Sequence, residues 1–197
     1  MGKIEEKKER KRRAIMSAAR DVFRSEGFVL ANMDRIAAEA QVTKQTVYRY
    51  FPSKIELFEA TLKFMGESSE EHFMKHLENP DTRKALHEFA RGFVQFHLSE
   101  EHLETFRLLV AESGKAPEIT KAFFSVGPED TGARLSRFFS ERLGLSEPDK
   151  PMRLWTAMLL ALRDGVLLGR ARPTAREIEE HARTATDFLL AGISFEA

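Results

Sequence analysis

Apolar residues recur along this chain at intervals of three and four, the spacing of one helix face, and nowhere settle into strict alternation. Ile15, Ala19, Val22 and Phe23 predict a first helix that runs from a basic N-terminal segment to about Ser25, with Gly27 as its C-terminal cap. Met33, Ile36, Ala37 and Ala40 predict a second, opened by Asn32 as N-cap. A third starts at Thr43. Val42 and Val47 hold the two positions of a hydrophobic staple, Val47 and Phe51 point inward with Tyr50 beside them, and Pro52 ends the helix. Ser53 and Glu56 form a capping box for a fourth, whose stripe is Ile55, Phe58, Leu62 and Met65.

Helical spacing continues to the C-terminus. Asn79-Pro80-Asp81 opens a helix with Leu86, Phe89, Phe93 and His97 along one face. Leu103, Phe106 and Val110 mark the next, which stops near Gly114. Pro117 opens a short one with Ile119, Ala122, Phe123 and Val126, closed by Gly127-Pro128. Leu135, Phe138 and Phe139 mark another, ending at Gly144. From Met152 to Leu168 the sequence is apolar nearly all round, which requires cover on both sides. Thr174 and Glu177 cap the last helix, with Ile178, Ala182, Ala185 and Leu189 on its face. The predicted fold is all-α.

The third helix is short, so its neighbours must hold it in place. It spends only a thin seam on that contact. Lys44, Gln45, Thr46, Tyr48 and Arg49 are left on other faces. Two short helices joined by a tight turn over residues 32–51 make a helix-turn-helix, and such an outward polar face suits the major groove of DNA. There Lys44 would donate to guanine, Gln45 would bond adenine, and the Thr46 methyl would meet thymine. Tyr48 and Tyr50 offer hydroxyls to phosphates. Lys54 stands on the first turn of the fourth helix, where free N–H groups already favour an anion.

Charge sharpens this picture. The formal net charge is zero, yet residues 1–63 hold 14 Lys+Arg and 9 Asp+Glu, giving +5, and residues 64–197 hold 17 and 22, giving −5. The positive part is the one expected to meet a polyanion. The chain has no cysteine, which excludes disulfides, thiolate metal sites and cysteine nucleophiles. The longest apolar run, "LWTAMLLAL" (154–162), is too short to span a bilayer, and no apolar leader opens the chain, so a cytoplasmic location is expected. No phosphate-binding glycine loop or nucleophile elbow occurs, and the His72/His76 pair has no evident third ligand. Neither an enzyme nor a cofactor or metal is expected.

Residues 10–60 resemble the DNA-binding domain of the TetR family of bacterial transcriptional regulators. The stretches "AARDVFRSEGF" (18–28), "MDRIAAEAQVTKQTVYRYF" (33–51) and "PSKIELFEATL" (52–62) carry the likeness. It implies that Tyr48 and Lys54 contact phosphates and that Thr43, Lys44, Gln45 and Thr46 face the groove, with Tyr50 nearby. Two positions depart from the family pattern: Gln41 stands where the turn usually holds Gly, and Met33 where a second Thr is common, so Asn32 would supply that contact.

The reading is therefore a three-helix DNA-binding domain over residues 1–63 and an effector-binding and dimerisation bundle over residues 64–197. The resemblance implies pairing through the last two long helices, for which Trp155, Leu159, Leu162, Val166, Ile178, Ala182, Ala185 and Leu189 are the expected interface. Twelve of the 16 Phe lie after residue 63, which suggests an apolar effector pocket with Phe93, His97, Phe106, Glu112, Phe124 and Trp155 as candidate lining. The expected function is a homodimeric repressor, released from an inverted-repeat operator by a small, mainly apolar ligand.

Overall fold

The computed structural model describes residues 2–194, and their side chains apart from those of 67–71, 128, 129 and 194. Every regular element among them is helical: α1 (Lys3–Leu30), α2 (Met33–Glu39), α3 (Lys44–Tyr50), α4 (Lys54–Met74), α5 (Thr82–His97), α6 (Glu100–Glu112), α7 (Pro117–Val126), α8 (Pro128–Leu143), α9 (Asp149–Leu167) and α10 (Ala175–Ser194), with a 3-10 turn at Lys75–Glu78. No helix of the described residues is long and apolar enough to cross a membrane.

The helix starts read from the sequence recur as hydrogen bonds. Asn32 Oδ1 accepts the N–H of Arg35 at 2.9 Å, Thr43 Oγ1 that of Thr46 at 3.2 Å, and Asp81 Oδ1 that of Lys84 at 3.0 Å. Thr174 and Glu177 cap reciprocally: Thr174 N–H donates to Glu177 Oε2 at 2.7 Å and Glu177 N–H to Thr174 Oγ1 at 3.3 Å. These bonds hold the Glu177 carboxyl below its ordinary value, the Thr174 backbone bond first among them. Gly27 differs from a simple cap. At φ 78°, ψ 166° it breaks α1, and the chain makes one more turn through Leu30 before Ala31 leaves the helix.

The chain forms two compact units, Met1–Gly66 with Glu104–Pro128, and Glu67–Leu103 with Glu129–Ala197. A single boundary at residue 63 does not describe this division, because α7 and most of α6 belong with the N-terminal helices. The core of the first unit explains why. Leu109, Ala116, Ile119 and Ala122 are buried in one cluster with Ile15, Phe23, Ile36, Val47 and Phe58. Phe23, Phe28 and Phe58 meet edge to face or tilted at 5.2–5.7 Å between ring centroids.

The second unit is built on an aromatic column. Trp155 stacks on Phe89 at 5.6 Å, Phe89 on Phe93 at 5.6 Å, and Phe93 meets His97 at 4.0 Å. Gly92 lets Phe73 approach this column; a Cβ at position 92 would lie 2.6 Å from the Phe73 Cβ. The residues assigned to the dimer interface occupy this core. Trp155, Leu159, Val166, Ile178, Ala182, Ala185 and Leu189 are buried within one chain, and Leu162 is half-buried. The seven buried side chains pack α9 and α10 inside their own unit and leave little surface for a second copy, whereas Leu162 keeps part of its surface open. The outward stripe of α9 is instead Leu154, Ala157, Met158 and Ala161, with Leu168 just past its end, and that of α10 is Thr184, Phe188 and Ala191.

Candidate nucleic-acid interface

Helices α2 and α3 are seven residues each, and the turn between them passes through Gln41 at φ 55°. That left-handed backbone costs a Gln more than a Gly, and the turn is held by the Val42 N–H donating to the Ala37 carbonyl at 3.0 Å. Val47 is the only fully buried side chain of α3. Asn32, Thr43, Lys44, Gln45 and Tyr48 are exposed, while Thr46 and Tyr50 are partly covered. None of these seven side chains, assigned to DNA from the sequence, is buried.

Several of them already carry hydrogen bonds besides the Asn32 and Thr43 caps. The Thr43 hydroxyl shares a 2.9 Å hydrogen bond with that of Thr46. The Lys44 ammonium pairs with Asp34 on α2 at 2.9 Å, and this hydrogen bond raises its pKa above the ordinary lysine value. Reaching a guanine requires Lys44 to exchange Asp34 for a base edge. The pair is exposed, so the exchange is easy.

Lys54 is placed differently from the sequence assignment. Its ammonium donates to the carbonyls of Phe28 at 2.7 Å, Val29 at 3.1 Å and Ala31 at 2.9 Å, and it sits 4.6 Å from the Phe28 ring centroid. An ammonium has three donors, and all three are committed to protein. Partial burial lowers its pKa, against the opposing pull of Glu112 and Glu118. Lys54 therefore ties the start of α4 to the last turn of α1.

Glu112 answers it from the other polarity. The sequence assigned this residue to an effector pocket. In the structure its Oε2 accepts the backbone N–H groups of Phe28 and Val29, the latter at 3.1 Å. These donors are freed where Gly27 interrupts α1, and a carboxylate at such a restarted helix turn is favourable. The carboxylate also occupies the space beside Gly27, where a Cβ would lie 2.5 Å from Glu112 Oε1. Helical periodicity does not reveal this junction, because its partners are 23 to 26 and 83 to 84 positions apart.

The other effector candidates divide between the units. Phe93, His97 and Trp155 belong to the aromatic column of the second. Phe106 and Phe124 belong to the first, where Phe123 lies between them at 6.3 and 5.7 Å, and Phe124 is 52% exposed. In the second unit His97 Nδ1 donates to the Phe93 carbonyl at 2.8 Å, and the His97 and His102 rings stand 4.4 Å apart. Burial first, then charge, keeps both imidazoles neutral. His97 lies well below its ordinary value through burial and His102, and His102 is lowered to about 4 by burial and the Arg163 cation. The Trp155 indole N–H is buried and meets no acceptor among the described residues.

Residues 15–61 match the family model for bacterial regulatory proteins of the tetR family, and residues 84–192 match the model for the C-terminal domain of AefR-like transcriptional repressors. The chain belongs to the TetR family. The HTH-type transcriptional activator FasR of Mycolicibacterium smegmatis is 28% identical over 151 residues, which cover 70% of this chain and 68% of FasR. Among solved structures, a TetR-family transcriptional regulator from Mesorhizobium loti is 26% identical, with a TM-score of 0.79 over 93% of this chain and 96% of that one. The Flavonoid-responsive Regulator FrrA is 28% identical, with a TM-score of 0.78 over the same shares. This TetR-family protein is a DNA-binding transcriptional regulator and not an enzyme.

Proposed function

We propose that this regulator acts as a homodimer, sets one α3 into each half of an inverted-repeat operator, represses transcription there, and is released by a small, mainly apolar ligand. One observation carries the DNA reading: α3 buries Val47 alone and turns Lys44, Gln45 and Tyr48 to solvent. Side chains on such a helix read base edges when it lies in the major groove.

The dimer is supported by the outward stripes of α9 and α10. Leu154 and Phe188, 60% and 67% exposed, stand among small residues that permit close helix approach. The ligand is supported by the aromatic column and by the Trp155 N–H, a buried donor suited to one acceptor on an otherwise apolar molecule. The name of FrrA makes a flavonoid the first compound to try. A second reading, activation, is favoured by the name of FasR.

Selection of bound sites from random duplexes tests the first reading. It should return an inverted repeat with half-sites one or more helical turns apart, about 10–10.5 base pairs each. A single unrepeated site would sink the two-fold reading. Transcription from the recovered site should rise when the regulator is deleted. A fall would establish activation in its place.

A further inference from the structure

The face of α1 that is buried inside the first unit does not end where the core ends. Ile15, Ala19 and Val22 define it within the domain. Three, four and seven positions before Ile15, on the same side of the helix, stand Arg12, Lys11 and Lys8. The inward apolar stripe thus becomes an overhanging basic stripe, still facing the side on which the helix-turn-helix packs. Arg10 and Arg13 point elsewhere, five and two positions from Ile15, and Arg13 is paired with Glu9 at 2.9 Å.

A second contact anchors the stripe. The Arg12 guanidinium lies over the Phe51 ring, 5.5 Å from its centroid. Phe51 directly follows Tyr50, the last residue of α3, so the cations begin beside the end of the recognition helix. Lys8 and Arg12 are exposed and Lys11 partly so. The ion pair of Lys8 with Glu5 is 3.8 Å long and open to water, too weak to hold Lys8 from a better partner.

We propose that Lys8, Lys11 and Arg12 form a second DNA-contacting surface, continuous with α3, that grips the phosphate backbone beside the groove the recognition helix enters. The proposal rests on the reading of α3 as the groove-facing helix. The stripe offers guanidinium and ammonium groups in a row and few hydrogen-bond acceptors, so its partner is a run of phosphates and its contribution is independent of sequence.

The test compares two variants of equal charge change in the full-length protein. Lys8→Gln/Lys11→Gln removes two cations from the stripe and leaves the Arg12 stack in place. Arg10→Gln/Arg13→Gln removes two from the other faces. Fluorescence anisotropy with the selected operator duplex gives the binding constant from 50 to 200 mM salt. Each phosphate contact contributes about 0.9 to the slope of log K against log salt. The stripe variant should therefore flatten the slope by about 1.8 per protomer, so that its affinity falls about tenfold less across that range than the wild type's, per protomer. The other variant should keep the wild-type slope. Equal flattening in both would reduce the effect to net charge and overturn the proposal, as would an unchanged slope in the stripe variant. Lys44→Ala, run alongside, tests α3 separately, because it should relax the selected motif whatever the arm does.

Discussion

Replacing Lys54 with Met removes the ammonium and keeps an unbranched stem over Phe28. The structure assigns that ammonium to three carbonyls, two of them part-buried, at Phe28 and Ala31, and one exposed, at Val29. A hydrogen bond to a charged group contributes about 1.5–3 kcal/mol when it replaces water at a sheltered site, and little when water can take its place. The two sheltered bonds at the low end give about 3 kcal/mol. Relief of the partly desolvated cation offsets part of this, leaving a loss of about 2 kcal/mol. For a chain of this length that lowers the melting temperature by about 4–8 °C. Thermal unfolding followed by circular dichroism measures the first quantity. Operator binding across a salt series measures the second: the slope of log K against log salt should stay at the wild-type value, since no phosphate contact is lost. A slope flatter by about 0.9 per protomer with an unchanged melting temperature would refute the reasoning. It would mean that the ammonium leaves its carbonyls for the DNA backbone.

Four further outcomes are expected. His102 is held neutral in the folded chain, with its pKa lowered to about 4, so protons bind the unfolded chain better between about 6.5 and 4. Its contribution of about 3 kcal/mol is present in full above pH 6.5 and is lost as the pH falls through that window; urea midpoints at pH 7 and pH 4.5 should differ accordingly, and His102→Phe should narrow the difference. Gly92→Ala forces a Cβ to 2.6 Å from that of Phe73, and should cost about 1–3 kcal/mol in chemical denaturation. Gln41→Gly relieves the left-handed turn and should raise stability by about 0.5–1 kcal/mol without changing the operator motif. Phe188→Glu should give a folded monomer in sedimentation equilibrium, whereas Leu159→Glu, which buries a carboxylate in the chain's own core, should unfold the second unit.

Much of the fold is legible in the spacing of apolar residues, because a cap and a stripe are local signals. Thr43, Asp81 and Thr174 announce helix starts that the backbone then follows. The outward surface of α3 is legible for the same reason: its few apolar positions leave no alternative inner face. α9 defeats the same method. It carries two apolar stripes, Trp155-Leu159-Val166 and Leu154-Met158-Ala161, and periodicity alone does not say which is inside. The inner one is the stripe that meets Phe89 and Phe139, a fact of three-dimensional packing. Lys54 and Glu112 were illegible in another way. Their partners are backbone atoms, which every residue possesses, so no side-chain pattern marks them.

The junction at Gly27 bears on how regulators of this kind can be recombined. A head-swapped chimera that joins at residue 63 would take the DNA-reading helices and leave behind residue 112. The transplanted α1 would then present the N–H groups of Phe28 and Val29 to whatever side chain the recipient offers. Residues 27 and 112 depend on each other sterically: the carboxylate stands where any larger side chain at 27 would have to go. The exchangeable cassette is therefore discontinuous, residues 1–66 together with 104–128, and heads should transfer between relatives only when both pieces travel together.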